Sequence, residues 1–75
     1  MIIFNEHLRA IRKNCNHTQK ECAIAAGVTE RNYQEWEYGK NKPSFDNLIA
    51  LADYFDVSLD YLVGRSDNPD SHKHA

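Results

Sequence analysis

The sequence lacks any long apolar run. No stretch approaches the ~18 residues that a membrane-spanning helix needs. The opening Met1-Ile2-Ile3-Phe4 is too short for a signal-peptide core and is followed by Asn5 and Glu6, so the expected compartment is the cytoplasm. Cysteine is scarce, with only Cys15 and Cys22 present. A secreted domain this small ordinarily carries several disulfides, and two cysteines make a poor framework. Both are expected to pack as small apolar side chains. Cys15, His17 and Cys22, with His7 more remote, lack the close cysteine pairs of common zinc modules, so no metal site is expected. No alternating strand pattern, internal repeat or low-complexity tract occurs. At 75 residues there is room for one core, not for a barrel or a doubly wound sheet. A helical chain of this size offers little concave volume, so neither catalysis nor a cofactor is expected.

Strong charge of one sign is also missing: the net formal charge is −2. That total hides an asymmetry. Residues 1–42 carry seven Lys and Arg against five Glu, a net +2, and residues 43–75 carry two against six Asp, a net −4. Such a division fits one half facing an anion, and equally a solvated surface of uneven charge.

What is present is a succession of helix signals. Phe4, Leu8, Ile11 and Cys15 recur at helical spacing, predicting a first helix from about Phe4 to Asn14 with Asn16 as a left-handed stop. Thr18-Gln19-Lys20-Glu21 reads as a capping box that opens a second helix through Cys22, Ala23 and Ala26, ended by Gly27. Thr29 caps a third, in which Tyr33, Trp36 and Glu37 share the inward face and Gly39 is the stop. Arg31, Gln34, Glu35 and Tyr38 therefore point away from the core. Ser44 caps a fourth helix whose expected apolar positions are Phe45, Leu48, Ile49, Leu51, Ala52 and Phe55. Ser58 caps a short fifth bearing Leu59, Leu62 and Val63, with Gly64 after it. From Ser66 onward no apolar anchor remains, so the expected organisation is a domain over 1–65 and a disordered tail over 66–75.

The central unit is a short helix, a Gly-containing turn and a second helix. Thr18-Gln19, Ala23, Gly27-Val28-Thr29, Trp36-Glu37, Gly39-Lys40, Lys42-Pro43-Ser44 and the closing Val57-Ser58-Leu59-Asp60-Tyr61-Leu62-Val63-Gly64 give the chain, from about Leu8 to Asp67, a detailed resemblance to the Cro/repressor-type (XRE) helix-turn-helix family. The resemblance implies an all-α, five-helix bundle that binds operator DNA, usually as a dimer, to regulate transcription. With the third helix in the major groove, it implies that Glu30, Arg31, Gln34 and Glu35 meet base edges. Gln19, Lys20, Asn32, Tyr38, Lys40, Asn41 and Lys42 would then meet the sugar-phosphate backbone. Arg12 and Glu37 match a pair that is often an internal salt bridge in the family. A homodimer through the helix-five region is expected, using Tyr54, Leu59, Tyr61 and Leu62.

The sequence departs from the family pattern at Glu35, an acidic residue where polar or basic ones are usual, and a carboxylate facing phosphates repels them. His17 replaces an apolar residue, and Cys22 and Ala26 stand where larger aliphatics are common. The acidic Glu30 and Glu35 keep a second reading open, a protein-interaction module on the same fold such as an antitoxin or anti-repressor.

Overall fold

The structure, a computed structural model, describes residues 3–70. Five helices follow one another in the described residues, with no strand: α1 (Phe4–Asn14), α2 (Gln19–Ala26), α3 (Glu30–Tyr38), α4 (Phe45–Phe55) and α5 (Leu59–Leu62). None is long and apolar enough to cross a membrane.

Hydroxyl caps set most of the boundaries. Thr18 Oγ1 accepts from the Glu21 N–H at 3.0 Å, and Glu21 Oε1 accepts from the Thr18 N–H at 2.8 Å, the reciprocal pair expected from the sequence. Thr29 and Ser58 accept from Asn32 and Tyr61 N–H groups. Ser44 forms a second reciprocal box, in which Asn47 takes the part usually played by Glu or Gln. Gly27 and Gly39 close α2 and α3 at φ 75° and 78°, values at which any Cβ is strained. α4 ends instead on Asp56 at φ 57°, a left-handed position held by one of the few non-glycine residues that tolerate it.

Each helix packs on its neighbours around a core of Leu8, Ile11, Cys22, Ala23, Ala26, Tyr33, Trp36, Leu51, Ala52, Phe55 and Leu62. α2 lies against both α3 and α4, α1 against α3 and α5, and α4 against α5. His7 joins α1 to α5, its Nε2 donating to the Tyr61 carbonyl at 2.7 Å while the two rings meet edge to face.

Several expectations need correction. Phe45 is 65% exposed and Ile49 39% exposed, so the α4 stripe that faces the core is narrower than its apolar content. The two residues share a face by i, i+4 spacing, rotated away from Leu51 and Phe55. Tyr54 does not lie on a helix-five surface. Its ring stacks on His17 at 4.4 Å and its hydroxyl lies 3.2 Å from His17 Nδ1, so the histidine does the packing of the apolar residue it replaces. Leu62 is fully buried and Tyr61 covers His7, which leaves α5 with less free apolar surface than expected. Residues 66–70 add no helix, but the Pro69 carbonyl accepts from the Ser58 N–H at 3.1 Å and returns the chain to the start of α5. The rest of the expected tail, 71–75, lies outside the described residues.

The Tyr33 hydroxyl is fully buried and has no hydrogen-bond partner among the described residues. Removing an unsatisfied buried group while keeping the ring costs little. Tyr33→Phe is expected to leave stability unchanged or to raise it by up to about 1 kcal/mol, measured by urea denaturation. A loss of more than about 2 kcal/mol would show that the hydroxyl is bonded.

Candidate nucleic-acid interface

α2 and α3, joined by Gly27-Val28-Thr29, are fixed to α1 by one buried anion. Glu37 is fully buried on the inward side of α3. Its carboxylate is forked onto Arg12 of α1, with Nε donating to Oε2 at 2.6 Å and Nη2 donating to Oε1 at 3.1 Å. Gln19, the first residue of α2, donates through Nε2 to the same Oε1 at 3.0 Å. Arg12 also donates to the His17 carbonyl at 3.1 Å, which positions the turn into α2. Burial drives the Glu37 carboxyl upward, but the hydrogen bonds from the Arg12 guanidinium and the Gln19 amide, with the Arg12 charge, hold the group below the usual carboxylate range. The same bond raises Arg12 further above its ordinary value. Burial pushes the neighbouring Cys22 thiol up to about 11, which leaves it protonated and inert at neutral pH.

The network continues outward. Gln34 donates through Nε2 to Gln19 Oε1 at 3.3 Å, so a residue of the outward face of α3 is tied to the core ion pair through α2. Of the expected base-facing residues, Glu30 and Arg31 stand exposed at the N-terminal end of α3, the Arg31 side chain at 89%. Gln34 and Glu35 are half-buried and already bonded within the protein, Glu35 Oε1 accepting from Asn41 Nδ2 at 2.9 Å. Among the expected backbone-facing residues, Lys20, Tyr38, Lys40, Asn41 and Lys42 are exposed, and Asn32 is half-buried with its N–H taken by the Thr29 cap. No carboxylate among the described residues pairs with Lys20, Lys40 or Lys42. Gln19 is turned inward, its amide nitrogen committed to Glu37.

Sequence reasoning missed Arg9 and Asn5. Arg9 lies 3.7 Å from Glu37 Oε1 and donates to the Glu37 carbonyl at 3.4 Å, and Asn5 donates to that carbonyl at 3.3 Å. The available signal was spacing: Arg9 precedes Arg12 by three residues and shares its face of α1. At 43% exposure the Arg9 side chain contributes less to the ion pair than Arg12.

These features define a helix-turn-helix domain whose outward α3 surface is flanked by exposed lysines. A family model described as Helix-turn-helix matches residues 8–62, and the chain belongs to that family, of the Cro/repressor (XRE) type. The uncharacterized HTH-type transcriptional regulator YobD of Bacillus subtilis is 35% identical over 68 residues, 91% of this chain and 61% of the relative. The cryptic phage CTXphi transcriptional repressor RstR of Vibrio cholerae is 37% identical over 60 residues, 80% of this chain and 54% of the relative. The chain thus spans less than two thirds of the length of these relatives. The P22 c2 repressor protein, solved in complex with a synthetic operator, superimposes with a TM-score of 0.78 at 29% identity, covering 88% of this chain and all of that one.

Glu37→Gln keeps the shape but removes the charge that Arg12 needs, and breaking a buried pair costs about 3–5 kcal/mol. Because the Glu37 carboxyl is depressed in the folded state, its contribution is complete above the ordinary carboxylate range and is lost as pH falls through the depressed value. The wild-type urea midpoint is expected to drop on acidification with a limb that Glu37→Gln lacks. An identical acid limb in both proteins would remove Glu37 as its source.

Proposed function

We propose that the chain is a sequence-specific DNA-binding transcriptional regulator, acting as a repressor, that places α3 in the major groove of an operator. The observation that carries this reading is the surface of α3 and the loop after it. Glu30 and Arg31 are exposed at the end that enters a groove, Arg31 only loosely paired with Glu35 at 3.9 Å, and Lys40 and Lys42 stand exposed beside it, where phosphates would lie. Arg31 is suited to bidentate bonding with guanine, and Glu30 to accepting from a cytosine amino group. The likeness to a repressor solved on an operator supports the same placement. In this reading the protein works in the cytoplasm, by occupancy of DNA, and needs neither a catalytic group nor a cofactor.

One domain of this size makes few phosphate contacts, and affinity rises steeply with their number. Two copies on half-sites about one helical turn, ~34 Å, apart satisfy that requirement. The α4–α5 edge supplies the surface for the second copy, with Leu59 and Tyr61 part-exposed and Phe45 and Ile49 adding exposed apolar area on α4. So small a patch makes a weak pair that strengthens on DNA.

Gel-shift titrations against genomic fragments at low and high salt test the reading. Binding to a defined fragment that survives competitor DNA supports it, and no binding to any duplex favours a protein-interaction module. Arg31→Ala is expected to weaken operator binding by about 1–3 kcal/mol and to relax preference at one base pair. Lys40→Ala and Lys42→Ala should instead weaken all duplexes alike, each lowering the salt slope by about 1. Sedimentation with and without operator should show monomer at micromolar concentration and two chains per bound duplex. One chain per site at saturation would refute the dimer.

A further inference from the structure

Glu35 is the residue least suited to a surface that meets phosphates, yet its carboxylate is not left facing outward. Its side chain is only 30% exposed, against 89% for Arg31 one turn earlier. Oε1 accepts from Asn41 Nδ2 at 2.9 Å, and the backbone carbonyl of the same residue accepts from the Lys40 N–H, also at 2.9 Å. The second carboxylate oxygen lies 3.9 Å from Arg31 Nε. The segment after α3 is therefore fastened twice to one residue. Asn41 and Lys42 border a hollow of about 180 Å³ that is also lined by Phe4, Trp36 and Gly39. Lys40 and Lys42, which flank Asn41, are exposed and unpaired with any carboxylate among the described residues.

We propose that Glu35 is a positioning residue that latches the 40–42 loop through Asn41, fixing the two lysines beside α3, and that it does not itself read a base. A carboxylate is acceptor-only, so it draws the amide nitrogen of Asn41 inward and sets the direction in which the loop leaves the helix. The negative charge that weakens attraction to phosphate is the same group that pre-orders two positive ones. The latch is a property of the free protein. Only its effect on DNA rests on the function proposed above.

The test separates those two parts. In the free chain, 15N relaxation should place the Asn41 and Lys42 amides near the rigid value of about 0.85, falling toward about 0.6 in Glu35→Ala. Glu35→Gln, whose carbonyl still accepts from Asn41, should keep the rigid value. Asn41→Ala should loosen Lys42 as Glu35→Ala does. On a mixed-sequence duplex, Asn41→Ala should weaken binding by about 3–10-fold, the worth of one hydrogen bond. Adding Glu35→Ala to it should cause no further loss, whereas Glu35→Gln alone should bind as well as wild type or better. Unchanged loop order in Glu35→Ala, or failure of Glu35→Gln to preserve it, overturns the latch. A change of preference at one base pair in Glu35→Gln overturns the statement that the residue reads no base. If wild type binds no duplex, the proposed function fails and the relaxation data still decide the latch.

Discussion

The buried carboxylate of Glu37 is the constraint on which the other helices depend. A charge removed from water is tolerated only when paired and hydrogen-bonded, and no single helix of this chain supplies enough donors. Arg12 comes from α1, Gln19 from the start of α2, and the anion from the last turn of α3. Satisfying it therefore sets the relative placement of three elements at once. Hydrophobic burial around Leu8, Tyr33 and Trp36 holds these helices together, but apolar contact is non-directional and tolerates sliding. The forked guanidinium does not tolerate it, because both nitrogens must meet both oxygens.

Much of this was legible in the sequence because the signals are local. Thr18 with Glu21, Thr29, Ser44 and Ser58 start helices wherever a hydroxyl precedes a helical stripe, and Gly27 and Gly39 stop them. The family resemblance placed Arg12 against Glu37, and the structure joins them. What stayed hidden depends on partners distant in the chain. Periodicity identifies an apolar stripe on α4 but not how much of it finds a neighbour, and Phe45 and Ile49 of that stripe lie outside the core. Nothing local announces that His17, 37 residues away, stacks on Tyr54, so the sequence alone points that ring toward the interface. The left-handed end of α4 at Asp56 carries no glycine to mark it.

The charge pattern gains meaning in the same way. The net +2 of the first 42 residues is small because the five Glu there nearly cancel the bases. One of those Glu, Glu37, is buried in the core, and Glu21, though exposed, is engaged in the α2 cap. The cations that reach solvent beside α3 belong to Arg31, Lys40 and Lys42. A formal count treats every carboxylate as a surface charge, whereas the field an approaching anion meets is set by those left facing water.

The bond between Glu37 and Gln19 also gives the surface a polarity. A primary amide has a donating end and an accepting end, and Glu37, as a carboxylate, admits only the donating one. The Gln19 nitrogen must turn inward and its oxygen outward, where it takes a hydrogen from Gln34. With one N–H so engaged, Gln34 has its second N–H and its oxygen left to offer to the exterior. A core charge thus dictates, two side chains away, which way round an outward-facing amide stands. The pattern of donors and acceptors on α3 is written partly by a residue that never touches solvent.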